Sequence, residues 1–206
     1  MAEQVVPDIV IGRLPRYLQA LERMRLEGLQ TTSSLELGQR LGISAAQIRK
    51  DLSHFGEFGK QGTGYSVEFL IEQLRAILHL NRLWDLALVG VGDLGSALAR
   101  YQGFTNRGFR IVLAFDNDPK KIGKRIGSLV VEDSATMPER IRQTGVKIAM
   151  LTVPASVAQQ VTDCLVEAGI RAILNYAPIH LVVPPGIIVE TIDPILKLQH
   201  MTYYLD

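Results

Sequence analysis

Three glycines in the run Gly90-Val91-Gly92-Asp93-Leu94-Gly95 have G-x-G-x-x-G spacing, and an acid, Asp116, follows 26 positions after the first. The first glycine permits a tight strand-to-helix turn, and the second lets backbone approach a pyrophosphate. The third lets the helix lie close to the strand. The helix start adds free N–H groups and positive potential for phosphates. A carboxylate at Asp116 accepts hydrogen bonds from an adenosine ribose and repels a 2′-phosphate. That favours NAD over NADP, while Lys120 and Lys121 keep NADP open. FAD and coenzyme A use similar turns, so the turn alone does not choose the ligand.

Groups for bond-making chemistry are missing from the same pattern. His54, His79, His180 and His200 show no pairing with a carboxylate or a serine, and none has a second His or a Cys at i+3 or i+4. Tyr101 lacks a lysine four residues on. Cys164 is the single cysteine, which rules out an internal disulfide and a multi-cysteine metal site. In an apolar helical pattern it reads as a small buried residue. The expectation is a cofactor-binding protein that is not an enzyme and holds no metal.

A second constellation lies upstream. From Ser34, Leu37 and Gly38 face inward, Gly42 sits at a turn, and Ile48, Leu52 and Phe55 form the next apolar stripe. This is helix-turn-helix spacing. Ser44 opens the second helix, with Gln47 completing a capping-box pattern. Its opposite face carries Ala45, Ala46, Arg49, Lys50 and Ser53. Small residues permit close approach to a groove, and the two cations can reach a guanine edge or phosphates. Residues 56–65 hold four glycines in ten and fit the wing of a winged variant, with Lys60 and Gln61 at its tip. On charge alone, a helical oligomerisation domain with a solvated Arg49–Lys50 face fits equally.

The elements that must position these groups follow from periodicity. Residues 1–84 read as helices: one from Pro15 to Gly28, one carrying Leu35, Leu37 and Leu41 inward, one from Ser44, and one over 67–80 with Phe69, Leu70, Leu74, Ile77 and Leu78 on its apolar side. Residues 81–84 look like a connection. Beyond them, apolar strands at 86–89, 111–115, 129–131, 148–151, 172–174 and 187–189 alternate with amphipathic helices, which predicts a parallel sheet covered on both faces. A last helix, 194–205, has no place in that sheet and suits a partner subunit. The organisation read is a winged-helix domain (1–84), a Rossmann-like doubly wound domain (85–190) and a dimerisation helix (191–206).

The composition agrees. The chain has 206 residues, 47% hydrophobic and 21% charged, which excludes disorder and collagen-like repeats. No apolar run approaches the roughly 18 residues of a membrane span. With one cysteine and no leader pattern, a reducing cytoplasm is the expected location. The net charge is only +1, and residues 1–84 carry ten basic and nine acidic side chains. Pattern rather than bulk charge carries the nucleic-acid argument.

Together the motifs resemble the bacterial Rex family of redox-sensing transcriptional repressors. The resemblance rests on Arg13-Leu14-Pro15-x-Tyr17, Ser33-Ser34, the segment from Ile48 to Gly56, Gly59-Lys60-x-Gly62-x-Gly64-Tyr65, Gly90–Gly95, Phe115-Asp116, Leu151-Thr152-Val153-Pro154 and Ile173 to Pro178. It implies a homodimer that binds palindromic double-stranded operator DNA, holds NAD(H), and releases DNA when it holds NADH, with its last helix swapped onto the partner. It further implies an operator-binding role for Arg13 and cofactor contacts from Thr152, Val153, Pro154, Asn175, Tyr176, Ala177 and Tyr101. Tyr101 and Asp193 would couple cofactor state to domain orientation. The family usually pairs that aspartate with an arginine on the first long helix, where this chain has Gln19, flanked by Arg16 and Arg23. Two other readings remain: a small NAD-dependent oxidoreductase with an accessory helical domain, and a coenzyme A or nucleotide-binding scaffold.

Overall fold

A computed structural model describes residues 6–58 and 64–205, which divide into two compact units, Met1–Arg82 and Leu83–Asp206. The first unit contains α1 (Asp8–Ile11), α2 (Leu14–Leu26), β1 (Thr31–Thr32), α3 (Ser34–Leu41), α4 (Ala45–Ser53), β2 (Tyr65–Ser66) and α5 (Val67–Ile77). Pro15 lies in the first turn of α2, where a missing N–H costs nothing. Leu14, Tyr17, Leu18, Leu21 and Met24 then form one buried stripe. Serine hydroxyls cap the next three helices: Ser33 accepts from the Glu36 N–H, Ser44 from Gln47 and Ser66 from Phe69. Thr31 and Thr32 pair antiparallel with Ser66 and Tyr65, a short ribbon that residue periodicity had not revealed.

α3 and α4 cross where the helix-turn-helix pattern places them. Gly42 ends α3 with φ 66°, and a Cβ on Gly38 would run into the carbonyl oxygen of Ile43. Two expected core positions are corrected. Leu35 is 62% exposed, because α3 buries Leu37 and Gly38, and a residue two places before Leu37 faces outward. Phe69 is also exposed. α5 starts at Val67, so its buried face runs Val67, Leu70, Ile71 and Leu74.

The second unit is built on a seven-stranded sheet in the order β5-β6-β4-β3-β7-β8-β9. Its strands are β3 (Trp84–Val89), β4 (Phe109–Asp116), β5 (Arg125–Ile126), β6 (Leu129–Asp133), β7 (Ile148–Leu151), β8 (Ala172–Asn175) and β9 (Ile188–Thr191). All neighbours are parallel except the β5–β6 hairpin. Trp84 opens β3 instead of belonging to a connection, and β5 was not expected. The helices are α6 (Asp93–Arg100), α7 (Met137–Thr144), α8 (Ala155–Ala168) and α9 (Pro194–Thr202).

The chain runs outward from β3 through β4 to β6, then crosses back to β7 on the other side. This reversal puts a crevice at the C-terminal end of β3, where open α/β sheets bind ligands. The sheet is not covered throughout: β9, at one edge, is mostly exposed. α9 buries no residue at all and ends at Thr202, short of Leu205.

The close approach of α3 to α4 has a measurable consequence. Gly38→Ala should lower stability by about 1–3 kcal/mol, because the added methyl meets backbone that cannot step aside. Thermal unfolding followed by circular dichroism checks this; an unchanged midpoint would contradict the crossing.

Candidate functional site

Gly90 takes φ 91°, and a Cβ there would press on the carbonyl group of Thr152 at 2.6–2.8 Å. A Cβ on Gly95 would strike the Gly90 carbonyl oxygen and lie 2.9 Å from Thr152 Oγ1. Both positions therefore exclude side chains for packing reasons. Gly92 differs: a Cβ there meets nothing within 4 Å, so the space above the turn is open. It stands at the N-cap of α6, and no side chain caps that helix. The first-turn N–H groups of a helix have no partner within it, which suits an anion at this opening.

Asp116 lies beneath the turn. Its Oδ2 accepts from the Val91 N–H at 2.7 Å and from Lys121 Nζ at 3.0 Å, while Oδ1 accepts from the Asp118 N–H at 2.9 Å. Burial pushes the carboxyl pKa up, but these donors outweigh it and hold it below the usual carboxylate range. Three of about four acceptor positions on the carboxylate are used, leaving one for a ribose hydroxyl. Val91 is buried, with its N–H engaged by Asp116. Asp93 and Leu94 are exposed at the start of α6.

A cavity of about 710 Å³ opens beside the turn, lined by Gly90, Gly92, Asp116, Asn117, Lys121, Thr152, Val153 and Pro154. Its far wall is a face of α8, Val157, Gln160, Val161 and Cys164, with Met137 and Ser134. The i, i+3, i+4, i+7 spacing of those α8 residues was readable, but nothing in it distinguishes a cavity wall from a core stripe. Cys164, expected to be buried, is only partly so and contributes to this wall. The open turn, uncapped helix and remaining acceptor site fit the ribose and pyrophosphate of an adenine dinucleotide.

Other expected cofactor residues hold different positions. The Thr152 hydroxyl is turned to the Gly90 carbonyl oxygen at 2.6 Å, locking the end of β7 to the turn. Asn175 is fully buried: its amide donates to the carbonyls of Ala177 and Ile179, and its oxygen accepts from the Ala177 N–H. It shapes the loop after β8 and does not line the cavity; neither do Tyr176 and Ala177. Burial raises the Tyr176 pKa. Tyr101 is 55% exposed, edge-on to Phe104. Among the described residues there is no cluster of three or more His, Cys, Asp or Glu placed to hold a metal ion.

In the first unit, a buried carboxylate lies beneath α4. Asp51 Oδ2 accepts from Arg13 Nε and the Tyr17 hydroxyl at 2.6 Å, and Oδ1 from Arg13 Nη2 and Gln47 Nε2 at 2.7 Å. Burial raises the Asp51 pKa, but Arg13, Tyr17 and Gln47 together hold it below the usual range. Burial and the Asp51 hydrogen bond push the Tyr17 phenol up to about 12. Arg13, expected at the operator, is thus held by Asp51. The capping box closes on one side only, since the Gln47 amide turns to Asp51 and not back to Ser44.

Ala46, Arg49, Lys50 and Ser53 are exposed on the outer face of α4, with Ala45 half-buried. The Ser53 hydroxyl donates to the Lys50 carbonyl. Lys60 and Gln61 lie outside the described residues. Arg16, Gln19 and Arg23 line one groove with Arg40 and Leu41, and Arg16 donates to the Leu41 carbonyl at 3.2 Å. Asp193 accepts from the Ile195 N–H at the start of α9.

A helix-turn-helix unit, with most of the expected wing (59–63) outside the described residues, and a doubly wound dinucleotide-type unit in one chain define a class of ligand-responsive regulators. Residues 5–53 match the family model "Putative DNA-binding protein N-terminus", and residues 81–179 match "CoA binding domain". The chain is 54% identical to the redox-sensing transcriptional repressor Rex of Chloroflexus aggregans, over 97% of this chain and 94% of that one. Against the Rex of Roseiflexus sp. the identity is 52%, over 97% and 90%. The structure of RSP in complex with beta-NAD+ and operator DNA superposes with a TM-score of 0.93 at 39% identity, covering 98% of this chain and 93% of that one. RSP in complex with beta-NADH gives 0.89 at 37%, covering 98% and 95%. This chain belongs to the Rex family of redox-sensing transcriptional repressors.

The Asp51 cluster sets a pH response. A carboxyl whose pKa is depressed by folding contributes stability above its unfolded value, and loses that contribution as pH falls through the folded one. Asp51→Asn should therefore be less stable than wild type at pH 7, with the difference shrinking below about pH 4. Arg13→Ala, which strands the buried charge, should cost about 3 kcal/mol at neutral pH. Denaturant titrations across pH check both; a pH-independent gap for Asp51→Asn would contradict the ionised cluster.

Proposed function

We propose that the chain is an NADH/NAD+-responsive repressor: a homodimer that holds operator DNA through α4 and lets go when it carries NADH. The supporting observation is the joining, in one chain, of an exposed Arg49–Lys50 face on a helix-turn-helix with an open glycine turn above Asp116. The solved relatives were obtained with NAD+ and operator DNA and with NADH, and we assign the same partners here. Gly92 and the first turn of α6 would receive the pyrophosphate, and Asp116 a ribose hydroxyl. The loops after β7 and β8 would meet the nicotinamide end. Reduced nicotinamide is neutral and oxidised nicotinamide cationic, so a ring pocket can distinguish them.

Residues 1–84 serve as the operator-binding part, 85–190 as the cofactor part and 191–206 as the dimer contact. The last assignment rests on α9: Ile195, Leu196, Leu198 and Met201 are each more than half exposed within one chain. A nine-residue helix is not stable alone in water, and an apolar face of this kind needs a partner surface. We assign Arg16 or Arg23 to receive Asp193 of the second copy, in place of the arginine that Gln19 lacks. Such a regulator of DNA in a bacterium works in the cytoplasm, and it needs no catalytic residues. Among the described residues, no helix is long and apolar enough to cross a membrane.

Linkage makes this quantitative: the factor by which NADH weakens operator binding must equal the factor by which operator weakens NADH binding. Matching factors from operator titrations at fixed salt and NADH titrations with and without duplex are expected; no mutual effect would reject the switch. Arg49→Ala with Lys50→Ala should abolish specific binding with NADH affinity intact. Asp116→Ala should weaken NADH or relax its preference over NADPH, read by ligand fluorescence.

A further inference from the structure

The arginines of the first unit are held in two ways, some by a carboxylate and some, like Arg16 on the Leu41 carbonyl, by a neutral oxygen. Arg13, Arg25, Arg40 and Arg75 each meet a carboxylate. Arg49 makes no ion pair among the described residues; instead its Nη1 donates to Ser34 Oγ at 3.0 Å. The bond crosses from α4 to the first turn of α3, where two adjacent serines do different work. Ser33 caps α3 by accepting from the Glu36 N–H, which leaves the Ser34 hydroxyl available to reach the neighbouring helix.

We infer that Ser34 is a positioning residue for sequence readout: it fixes the Arg49 guanidinium for a base edge through a neutral acceptor. This rests on the reading of α4 as the operator-binding helix. A carboxylate at position 34 would hold the guanidinium as well, but it would cancel the charge and repel phosphate. A hydroxyl orients Arg49 without either penalty. With Nη1 anchored, the Nε and Nη2 hydrogens remain for the two acceptors on one guanine edge, a bidentate geometry that a free arginine must be ordered to reach. The Ser34 hydroxyl hydrogen also stays free while its oxygen accepts, so it can donate onward. Ser34 thereby acts on specificity through Arg49, and not on general attraction to DNA.

The test uses the full chain without NADH and a duplex selected by the wild-type protein from a random-sequence pool. Affinity for that duplex, for copies with single base pairs changed, and for an unrelated duplex is measured at several salt concentrations. Ser34→Ala should weaken the selected duplex by roughly three- to tenfold, the net scale of one ordinary hydrogen bond. Unrelated-duplex affinity and salt slope should not change, and Ser34→Thr should restore binding. In an Arg49→Ala background, Ser34→Ala should have little further effect, because the two act as one unit.

Three outcomes overturn the inference: additive losses in the double variant, a salt slope reduced by about one (the mark of a lost phosphate contact), or no loss with Ser34→Ala. Failure of the underlying reading looks different, since Arg49→Ala itself would then leave the selected duplex bound normally. Unchanged thermal unfolding and NADH affinity of Ser34→Ala establish that the fold is intact.

Discussion

A carboxylate removed from water must be matched by donors, and each unit of this chain is organised around one that is. Asp51 and Asp116 are both buried, both held below their usual pKa, one beneath α4 and the other beneath the glycine turn. Asp51 gathers α2 and α4 through Arg13, Tyr17 and Gln47, so the outward face of α4 is set by a charge buried on its inner side. Asp116 holds the Val91 N–H and so fixes the glycine turn whose outer side remains open. Leaving such a group unmatched costs far more than the net gain from making the bonds, which is why these contacts specify geometry more strongly than they add stability.

The same economy explains where polar groups are not matched inside the protein. The first turn of α6 has no side-chain cap, and Arg49 and Lys50 form no ion pair among the described residues. These unneutralised groups suit phosphate and base partners supplied from outside. Thr152 and Asn175 satisfy carbonyl and amide groups at the ends of β7 and β8, giving the loops that follow them fixed shapes.

The C-terminal edge has the opposite character. β9, α9 and the link between them leave Ile188, Ile192, Ile195, Leu196, Leu198 and Met201 exposed, with Tyr203, Tyr204 and Leu205 beyond them. A covered parallel sheet was expected because strand periodicity reports apolar residues and not what lies over them. The same limit applies to Leu35 and Phe69: each is an apolar residue near others, and only the phase of the packed helix decides which way it faces.

Much of the site was legible in local chemistry. The glycine spacing, Asp116, the Ser44 cap and the Gly42 turn are set by backbone geometry, which a short stretch of sequence determines by itself. The alternation of strand and helix followed from hydrophobic period. Pairings between distant residues were not legible. Arg13 and Asp51 are 38 positions apart, Ser34 and Arg49 are 15, and Thr152 reaches Gly90 across 62. Sequence determined which side chains could take part in the chemistry. Tertiary structure decided that Arg13 holds Asp51, that Asn175 shapes a loop, and that Arg49 is steadied by a hydroxyl, because donors and acceptors find partners only once folding has brought them together.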